Sequence, residues 1–247
     1  IDDCRFLLRT ELLTTRLHNA LKSVRVIVIE AQAGQGKTIL ASQFLNYNQL
    51  DHLWYQIGPE DTDPFFILAS IVYNLREKYP EFVGIELETV LSKGKVGPLD
   101  IQRCANMLLR EIDMRLPNEL FIVFDDVHLL SDHGLAKSLL DHLLDTSPPK
   151  LRFILTSRFP LQFKSKVLRN SNTVCRLATE DIAFNISEIE EYLVDVLKCD
   201  IDLETTQAIH RTTGGWAMGV VLAGDACEQN RPHSGINPVS ASPSRQE

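Results

Sequence analysis

The feature that most constrains this chain is a glycine-containing turn between an apolar run and a helix-like segment. The run VRVIVI at residues 24–29 is typical of a buried strand in a parallel sheet. It is followed by Gly34-Gln-Gly36-Lys37-Thr38, and residues 37–47 continue as a predicted helix. In such a turn successive backbone amides point inward, and the N-terminus of the following helix favours an anion. The segment therefore predicts a phosphate-binding loop.

Each residue type in this turn has a chemical reason. Glycine allows the backbone to approach a ligand closely and to adopt unusual dihedral angles. Lys37 is expected to reach the β- and γ-phosphates of ATP, and the Thr38 hydroxyl to ligate Mg²⁺. The full Walker A pattern has glycine five residues before Gly36, where this chain has Ala31, a departure of one methyl group. A chance Gly-x-Gly-Lys-Thr arises in roughly one chain in a hundred, and the flanking strand and helix lower that further. The predicted nucleotide-binding residues of this segment are Ala33, Gly34, Gln35, Gly36, Lys37, Thr38 and Ile39.

A second motif agrees with the first. The apolar run LFIVF at residues 120–124 ends in Asp125-Asp126, which has the form of a Walker B motif. Asp125 at the strand end is expected to hold Mg²⁺, directly or through water. Asp126 is placed to orient or deprotonate the attacking water, which makes it a candidate catalytic residue together with Lys37.

A third motif, Thr156-Ser157-Arg158, follows the apolar run LRFIL. Ligands of parallel sheets bind beyond the carboxyl ends of the strands, so this tripeptide can face the nucleotide. Arg158 is then a candidate γ-phosphate sensor, and a surface arginine near a helix start is the alternative.

The order of the predicted elements sets the fold class. Strands are predicted at 24–29, 52–57, 120–124, 151–155 and 174–177, and helices at 6–23, 37–47, from Pro64 onward, 100–116 and 135–144, with a loop at 93–98. Alternating strands and helices predict an α/β fold with a parallel sheet flanked by helices. Together with the phosphate-binding loop and the acidic pair, this order resembles a P-loop NTPase of the ASCE/AAA-like type.

From about residue 180 only helices are predicted. Ser187 and Glu190 resemble a capping box for a helix ending at Leu197, and helices at 203–212 and 216–227 follow. The predicted organisation is a nucleotide-binding domain at 1–179, a small helical lobe at 180–228, and a Pro/Ser-rich tail or linker at 229–247.

Charge and composition limit the kinds of partner that this chain is expected to bind. The formal net charge is −8, which disfavours a segment whose main work is binding nucleic acid. No apolar run approaches the ~18–20 residues that span a bilayer. The five cysteines lie far apart and form no zinc-like cluster, which fits reduced thiols in the cytoplasm.

Two further side chains have simpler interpretations. His128 is expected to pack or to stabilise a turn, and it is given no chemical role. Trp216 follows Gly214-Gly215 and is interpreted as a core aromatic of the helical lobe, with a place in an adenine pocket as the alternative.

Taken together, the motifs resemble those of STAND-class ATPases, especially the MalT-type regulators of the LuxR family. The resemblance spans residues ~9–225. Besides the motifs already described, it includes further segments: Arg9 with Leu12-Leu13, Trp54, Asp125-Asp126-Val-His128, 177–184, and Gly215-Trp216-Ala217. It implies a cytoplasmic signalling switch that rests with ADP, self-associates with ATP, and is reset by slow hydrolysis. It also implies that Arg9 and the Gly-Trp-Ala segment lie by the adenine and that Arg158 senses the γ-phosphate. Such regulators carry inducer-binding repeats and a DNA-binding helix-turn-helix, and neither is found in this chain. The chain starts without Met and is interpreted as a fragment or processed product. A small-molecule or protein inducer is therefore expected to act through other domains.

Three alternatives remain open. A mechanochemical ATPase of the AAA+ type shares the same motifs but needs an arginine finger from a neighbouring subunit. A nucleotide-binding interaction module without significant hydrolysis would use the same turn. A small-molecule kinase would need an acceptor pocket and an Arg-rich lid, and neither is apparent.

Overall fold

The computed structural model describes residues 16–59, 61–82, 84–130 and 134–229. In these residues five strands form one parallel sheet in the order β2-β3-β4-β1-β5. The strands are β1 (Val26–Glu30), β2 (His52–Gln56), β3 (Leu120–Asp125), β4 (Leu151–Ser157) and β5 (Val174–Leu177). The insertion of β4 between β1 and β3 confirms the predicted ASCE/AAA-like sheet.

Helices connect the strands and cover both faces of the sheet. They are α1 (His18–Leu21), α2 (Lys37–Tyr47), α3 (Pro64–Lys78), α4 (Ile85–Leu91), α5 (Ile101–Arg115), α6 (Leu135–Thr146), α7 (Lys166–Arg169) and α8 (Thr179–Ile182). Helix α3 begins as predicted, with Asp63 accepting a bond from the Phe65 amide and Pro64 in the first turn. In the described part of the chain no helix has the length and apolarity that crossing a bilayer requires.

The two faces of the sheet have separate cores, because successive side chains of a strand point to opposite faces. Val26 and Val28 of β1 belong to the larger core under α3, α5 and α6. Ile27 and Ile29 belong to the core under α1 and α2. This double burial explains why the strands are near-continuous apolar runs.

The helical lobe follows the sheet. It contains α9 (Ile186–Glu190), a π-helical continuation at Glu191–Val196, α10 (Leu203–Thr213) and α11 (Ala217–Gln229). It has its own small core around Ile189, Leu193 and Val220. At the π-helical turn the Leu197 amide bonds to the Tyr192 carbonyl.

Several predicted elements differ in the structure. The capping box at Ser187 and Glu190 is wrong: Asn185 is the N-cap, its side chain accepts from the Glu188 amide, and Glu188 accepts from the Asn185 amide. Asn185 is extended and can cap, whereas Ser187 already lies inside α9.

Two other differences concern helices. The predicted continuous helix to Leu197 becomes π-helical, which packs Tyr192, Leu193 and Leu197 against Gly224 of α11. Helix α4 was not predicted; its buried residues Leu87, Val90 and Leu91 are helically spaced, but it spans only seven residues. The start of the predicted helix at 6–23 and most of the predicted tail lie outside the described residues.

Candidate nucleotide-binding site

The turn after β1 has the backbone of an anion-binding loop. Gly34 and Gly36 both adopt left-handed conformations, with φ of 73° and 84°, which glycine adopts without a steric penalty. Helix α2 begins at Lys37, directly after Gly36. Ala31, which replaces the first glycine of the motif, is buried in the core beneath α2 and its amide bonds to the Ser157 carbonyl at 3.1 Å. The methyl group is therefore accommodated.

Lys37 and Thr38 follow in the first turn of α2. The Lys37 side chain is 7% exposed, and its ammonium donates to the Gln32 carbonyl at 3.1 Å. Burial lowers the pKa of Lys37, and the Arg158 charge acts in the same direction, whereas the Asp126 carboxylate opposes the shift. The site thus holds a cation in a place where an added anion would be stabilised.

Asp125 is the buried acid at the end of β3. It is 1% exposed, and it accepts bonds from the Thr38 hydroxyl at 3.0 Å and from the Thr156 hydroxyl. Asp125 ends β3, Thr156 lies on β4, and Thr38 lies in α2, which follows β1 on the other side of β4. The sheet order therefore brings the two predicted metal-binding residues into contact.

Asp126 has a strained backbone and a fixed side chain. Its φ of 60° is unusual for a residue with a Cβ. Its amide donates to the Thr156 hydroxyl, and its carboxylate accepts from the Gln56 amide, both at 2.9 Å. Strain of this kind persists where surrounding bonds enforce it, and it is common at functional sites.

His128 links the loops that follow β3 and β4. Its Nδ1 accepts a long bond of 3.4 Å from the Arg158 amide and lies 3.6 Å from an Asp126 oxygen. Its ring contacts Phe159 edge to face, with centroids 5.8 Å apart. Burial lowers the pKa of His128, while the Asp126 carboxylate opposes that shift. This is the packing and turn-stabilising arrangement predicted for His128.

A cleft of about 350 Å³ opens between the turn and the helical lobe. Its lining residues are Ala33, Gly34, Gln35, Gly36, Lys37, Thr38, Ile39, Leu40, Gln43, Asp126, Arg158, Phe184, Tyr192, Ala217, Met218 and Val221. The cleft has a polar end at the strand termini and an apolar end against the lobe. Arg158, which is exposed, lies at the polar end with Lys37 and Asp126. Of the predicted site residues, Arg9 lies outside the described residues.

Trp216 is not in the lobe core, contrary to the preferred interpretation. It lies against the turn, where its indole nitrogen donates to the Ala33 carbonyl at 2.9 Å. Two of its ring atoms are 3.0 Å from the position of a Cβ on Gly34. The residue follows two left-handed glycines, Gly214 and Gly215, and this turn directs it toward the sheet domain and away from the lobe core.

The geometry fits a magnesium ion that arrives with phosphate. Mg²⁺ takes six oxygen ligands at about 2.0–2.1 Å, so adjacent ligands lie about 2.9 Å apart. The Thr38 hydroxyl and the nearer Asp125 oxygen are 3.0 Å apart. Among the described residues no group of three or more His, Cys, Asp or Glu side chains could hold a metal, so phosphate oxygens and water would complete the shell.

Sequence reasoning missed part of the site. Thr156 was noted only as part of its tripeptide, although it bonds to both acids, and Gln56 was not noted. The only signal in the sequence for a role of Gln56 is that a polar residue ends β2 there, and this signal is weak. The lobe residues Phe184, Tyr192, Met218 and Val221 have no sequence signal, because their place depends on how the lobe docks.

The sequence of this chain matches known proteins over most of its length. It is 24% identical over 232 residues to the HTH-type transcriptional regulator MalT of Vibrio parahaemolyticus, covering 87% of this chain and 25% of that protein. It is 26% identical over 228 residues to the serine/threonine-protein kinase PknK of Mycobacterium tuberculosis, covering 87% of this chain and 20% of that protein. The chain thus spans a quarter or less of these curated relatives.

The fold is also found in a solved structure. A Signal Transduction ATPase with Numerous Domains (STAND) protein with a tetratricopeptide repeat sensor, from Pyrococcus horikoshii, superimposes with a TM-score of 0.60 at 17% identity. The match covers 94% of this chain and 31% of that one. A family model described as Nephrocystin 3, N-terminal matches residues 2–158, more than half of the chain. The chain therefore belongs to the nephrocystin 3 N-terminal family and has a P-loop NTPase fold.

Proposed function

We propose that this chain is the nucleotide-dependent switch domain of a larger signalling regulator in the cytoplasm. It binds ADP or MgATP in the cleft, hydrolyses ATP slowly, and self-associates in the ATP-bound form. The observation that carries the proposal is that the phosphate-binding turn and the Asp125 carboxylate meet in one place, with the Thr38 hydroxyl bonded to Asp125 at 3.0 Å.

The phosphate chain is bound at the polar end. The backbone amides of the turn cradle it, and the Lys37 ammonium moves from the Gln32 carbonyl to the β- and γ-phosphates. Because Lys37 is buried, its attraction to phosphate is screened less than that of a surface lysine.

The metal and the reacting water occupy the space between the strand ends. Thr38 and Asp125 hold Mg²⁺, which neutralises charge on the phosphate oxygens. Asp126, fixed by Gln56 and Thr156, orients or deprotonates the attacking water. Arg158 is exposed at the same end of the cleft and contacts the γ-phosphate.

The relatives support a signalling role. Their names describe a transcriptional regulator and a protein kinase, and the solved structure is that of a signal transduction ATPase with a repeat sensor. In each the segment like this chain is a third or less of the whole. We assign inducer binding and the output activity to other segments, and we assign no direct nucleic-acid binding to this one.

The test is the nucleotide content of the purified protein. The wild-type chain is expected to purify with ADP that leaves slowly, and Lys37→Ala to weaken ATP binding about 100-fold by calorimetry while circular dichroism and unfolding stay unchanged. Lys93→Ala, at an exposed lysine outside the cleft, is the matched control.

Two outcomes would contradict the proposal. Equal ATP affinity in wild type and Lys37→Ala would contradict the assignment of this turn as the phosphate-binding loop. Tight binding with rapid multiple turnover and freely exchanging ADP would exclude a slow switch and favour a mechanochemical ATPase.

A further inference from the structure

The phosphate-binding turn has a reverse side that faces the helical lobe. The N–H and C=O groups of one trans peptide unit point in opposite directions. When the amides of Gly34 and Gln35 point toward a ligand, the carbonyls of Ala33 and Gly34 point away from it. Backbone carbonyls are strong acceptors, so in this conformation of the turn they accept from water or from donors of the protein behind it.

The lobe supplies donors to both carbonyls. The Trp216 indole nitrogen donates to the Ala33 carbonyl, and the Met218 amide donates to the Gly34 carbonyl, both at 2.9 Å. In the other direction, the Gln35 side-chain amide donates to the Gly215 carbonyl at 3.3 Å. Three bonds therefore connect the turn to one short segment of the lobe.

The contact leaves no space for adjustment. A Cβ on Gly34 would lie 2.9 Å from the Met218 Cβ and 3.0 Å from the Trp216 ring. The segment itself is fixed, because the Phe184 amide bonds to the Gly215 carbonyl at 2.8 Å. The segment that carries Trp216 is therefore bonded to the rest of the lobe as well as to the turn.

We propose that Trp216 is a positioning residue of the nucleotide site, which holds the phosphate-binding turn from behind so that its amides face the ligand. This inference rests on the function proposed above. Docking of the lobe and binding of phosphate then stabilise each other, and this coupling is reciprocal. The docked state also has a cost: the Gln35 side-chain carbonyl is buried without a hydrogen-bond partner in the described part of the chain.

The experiment compares two ligands that share phosphates. Calorimetry measures the binding of ADP and of inorganic pyrophosphate, each with Mg²⁺, to wild type and to Trp216→Phe. The variant keeps an aromatic ring but lacks the N–H donor. Both affinities are expected to fall by the same factor, about three- to tenfold, as for the loss of one hydrogen bond.

Two controls separate this effect from general damage. Trp54→Phe changes the other tryptophan of the chain, on β2, and Leu222→Ala changes an exposed residue of α11. Both are expected to keep wild-type affinity for the two ligands.

The outcomes are distinct. If Trp216→Phe weakens ADP but not pyrophosphate, Trp216 is a base contact and the inference is wrong; unchanged affinity for both ligands also overturns it. If the wild-type chain binds neither ligand, the proposed function fails instead.

A second measurement does not depend on the variant. In the wild-type chain, hydrogen exchange of the peptide covering 217–229 is expected to slow when pyrophosphate binds, because the Met218 amide is then held more firmly. Exchange that is the same with and without pyrophosphate, in protein shown to bind it, would contradict the coupling.

Discussion

The two ends of the cleft are built in different ways. At the polar end, Thr38, Asp125, Asp126 and Thr156 lie on or next to strands of one sheet and bond directly to one another. At the apolar end, Tyr192 and its neighbours belong to the lobe, which meets the turn through three hydrogen bonds.

The difference separates two tasks. A site on the ends of hydrogen-bonded strands is preorganised, so that binding of phosphate and metal needs movement of side chains such as Lys37 but no change in the strands. A wall formed by a second lobe exists only while that lobe is docked. We therefore infer that chemistry depends on the sheet, and that the response to nucleotide depends on the lobe.

The largest expected effect is on hydrolysis at the polar end. Asp126→Asn is expected to lower the single-turnover rate about 100- to 10,000-fold, because the amide cannot accept the proton of the attacking water. ATP affinity is expected to stay within error, with Asp200→Asn, at an exposed acid, as the control. A rate that does not change would mean that Asp126 has no part in hydrolysis.

A smaller effect is expected for the metal. Asp125→Asn keeps the shape of the side chain but removes its charge. The factor by which Mg²⁺ raises ATP affinity is expected to be about 10- to 100-fold smaller in this variant than in the wild type. The measurement is ATP affinity as a function of Mg²⁺ concentration, with affinity in EDTA as the baseline for each protein. The same Mg²⁺ dependence in both proteins would mean that Asp125 does not bind the metal.

The smallest effect is expected at the apolar end. Met218 is 45% exposed and lines the apolar end of the cleft, where we infer that the base of the nucleotide lies. Met218→Ala would then remove apolar contact with the base but keep the backbone bond to Gly34. ADP affinity is expected to fall about three- to tenfold by the area lost, with pyrophosphate affinity unchanged. Equal losses for both ligands would show that the Met218 side chain acts through the phosphate-binding turn and not by contact with the base.

The sequence predicted the polar end better than the lobe. The phosphate-binding turn and the Asp125-Asp126 pair are local patterns in which a strand, a turn and the following residue types stand side by side in the chain. The roles of Thr156 and Gln56 depend on which strands are neighbours, and no local pattern states that β4 lies between β1 and β3.

Predictions for the lobe went wrong for a tertiary reason. Asn185 and Ser187 are both good capping residues with a glutamate three residues later, and it is Asn185 that caps α9. The π-helical turn at Glu191–Val196 forms where Tyr192 and Leu193 meet Gly224, 30 or more residues away in the chain. Trp216 looked like a core residue because its apolar ring was visible in the sequence, whereas its bond to Ala33 was not.

The position of β4 has a geometric consequence for the whole site. Neighbouring strands are about 4.8 Å apart, so one intervening strand sets the termini of β1 and β3 about 10 Å from each other. That span is fixed by main-chain ladders and not by any particular side chain. Core residues can therefore be exchanged for others of similar volume while the distance between the β1 and β3 ends, where we place the γ-phosphate and its metal, stays the same.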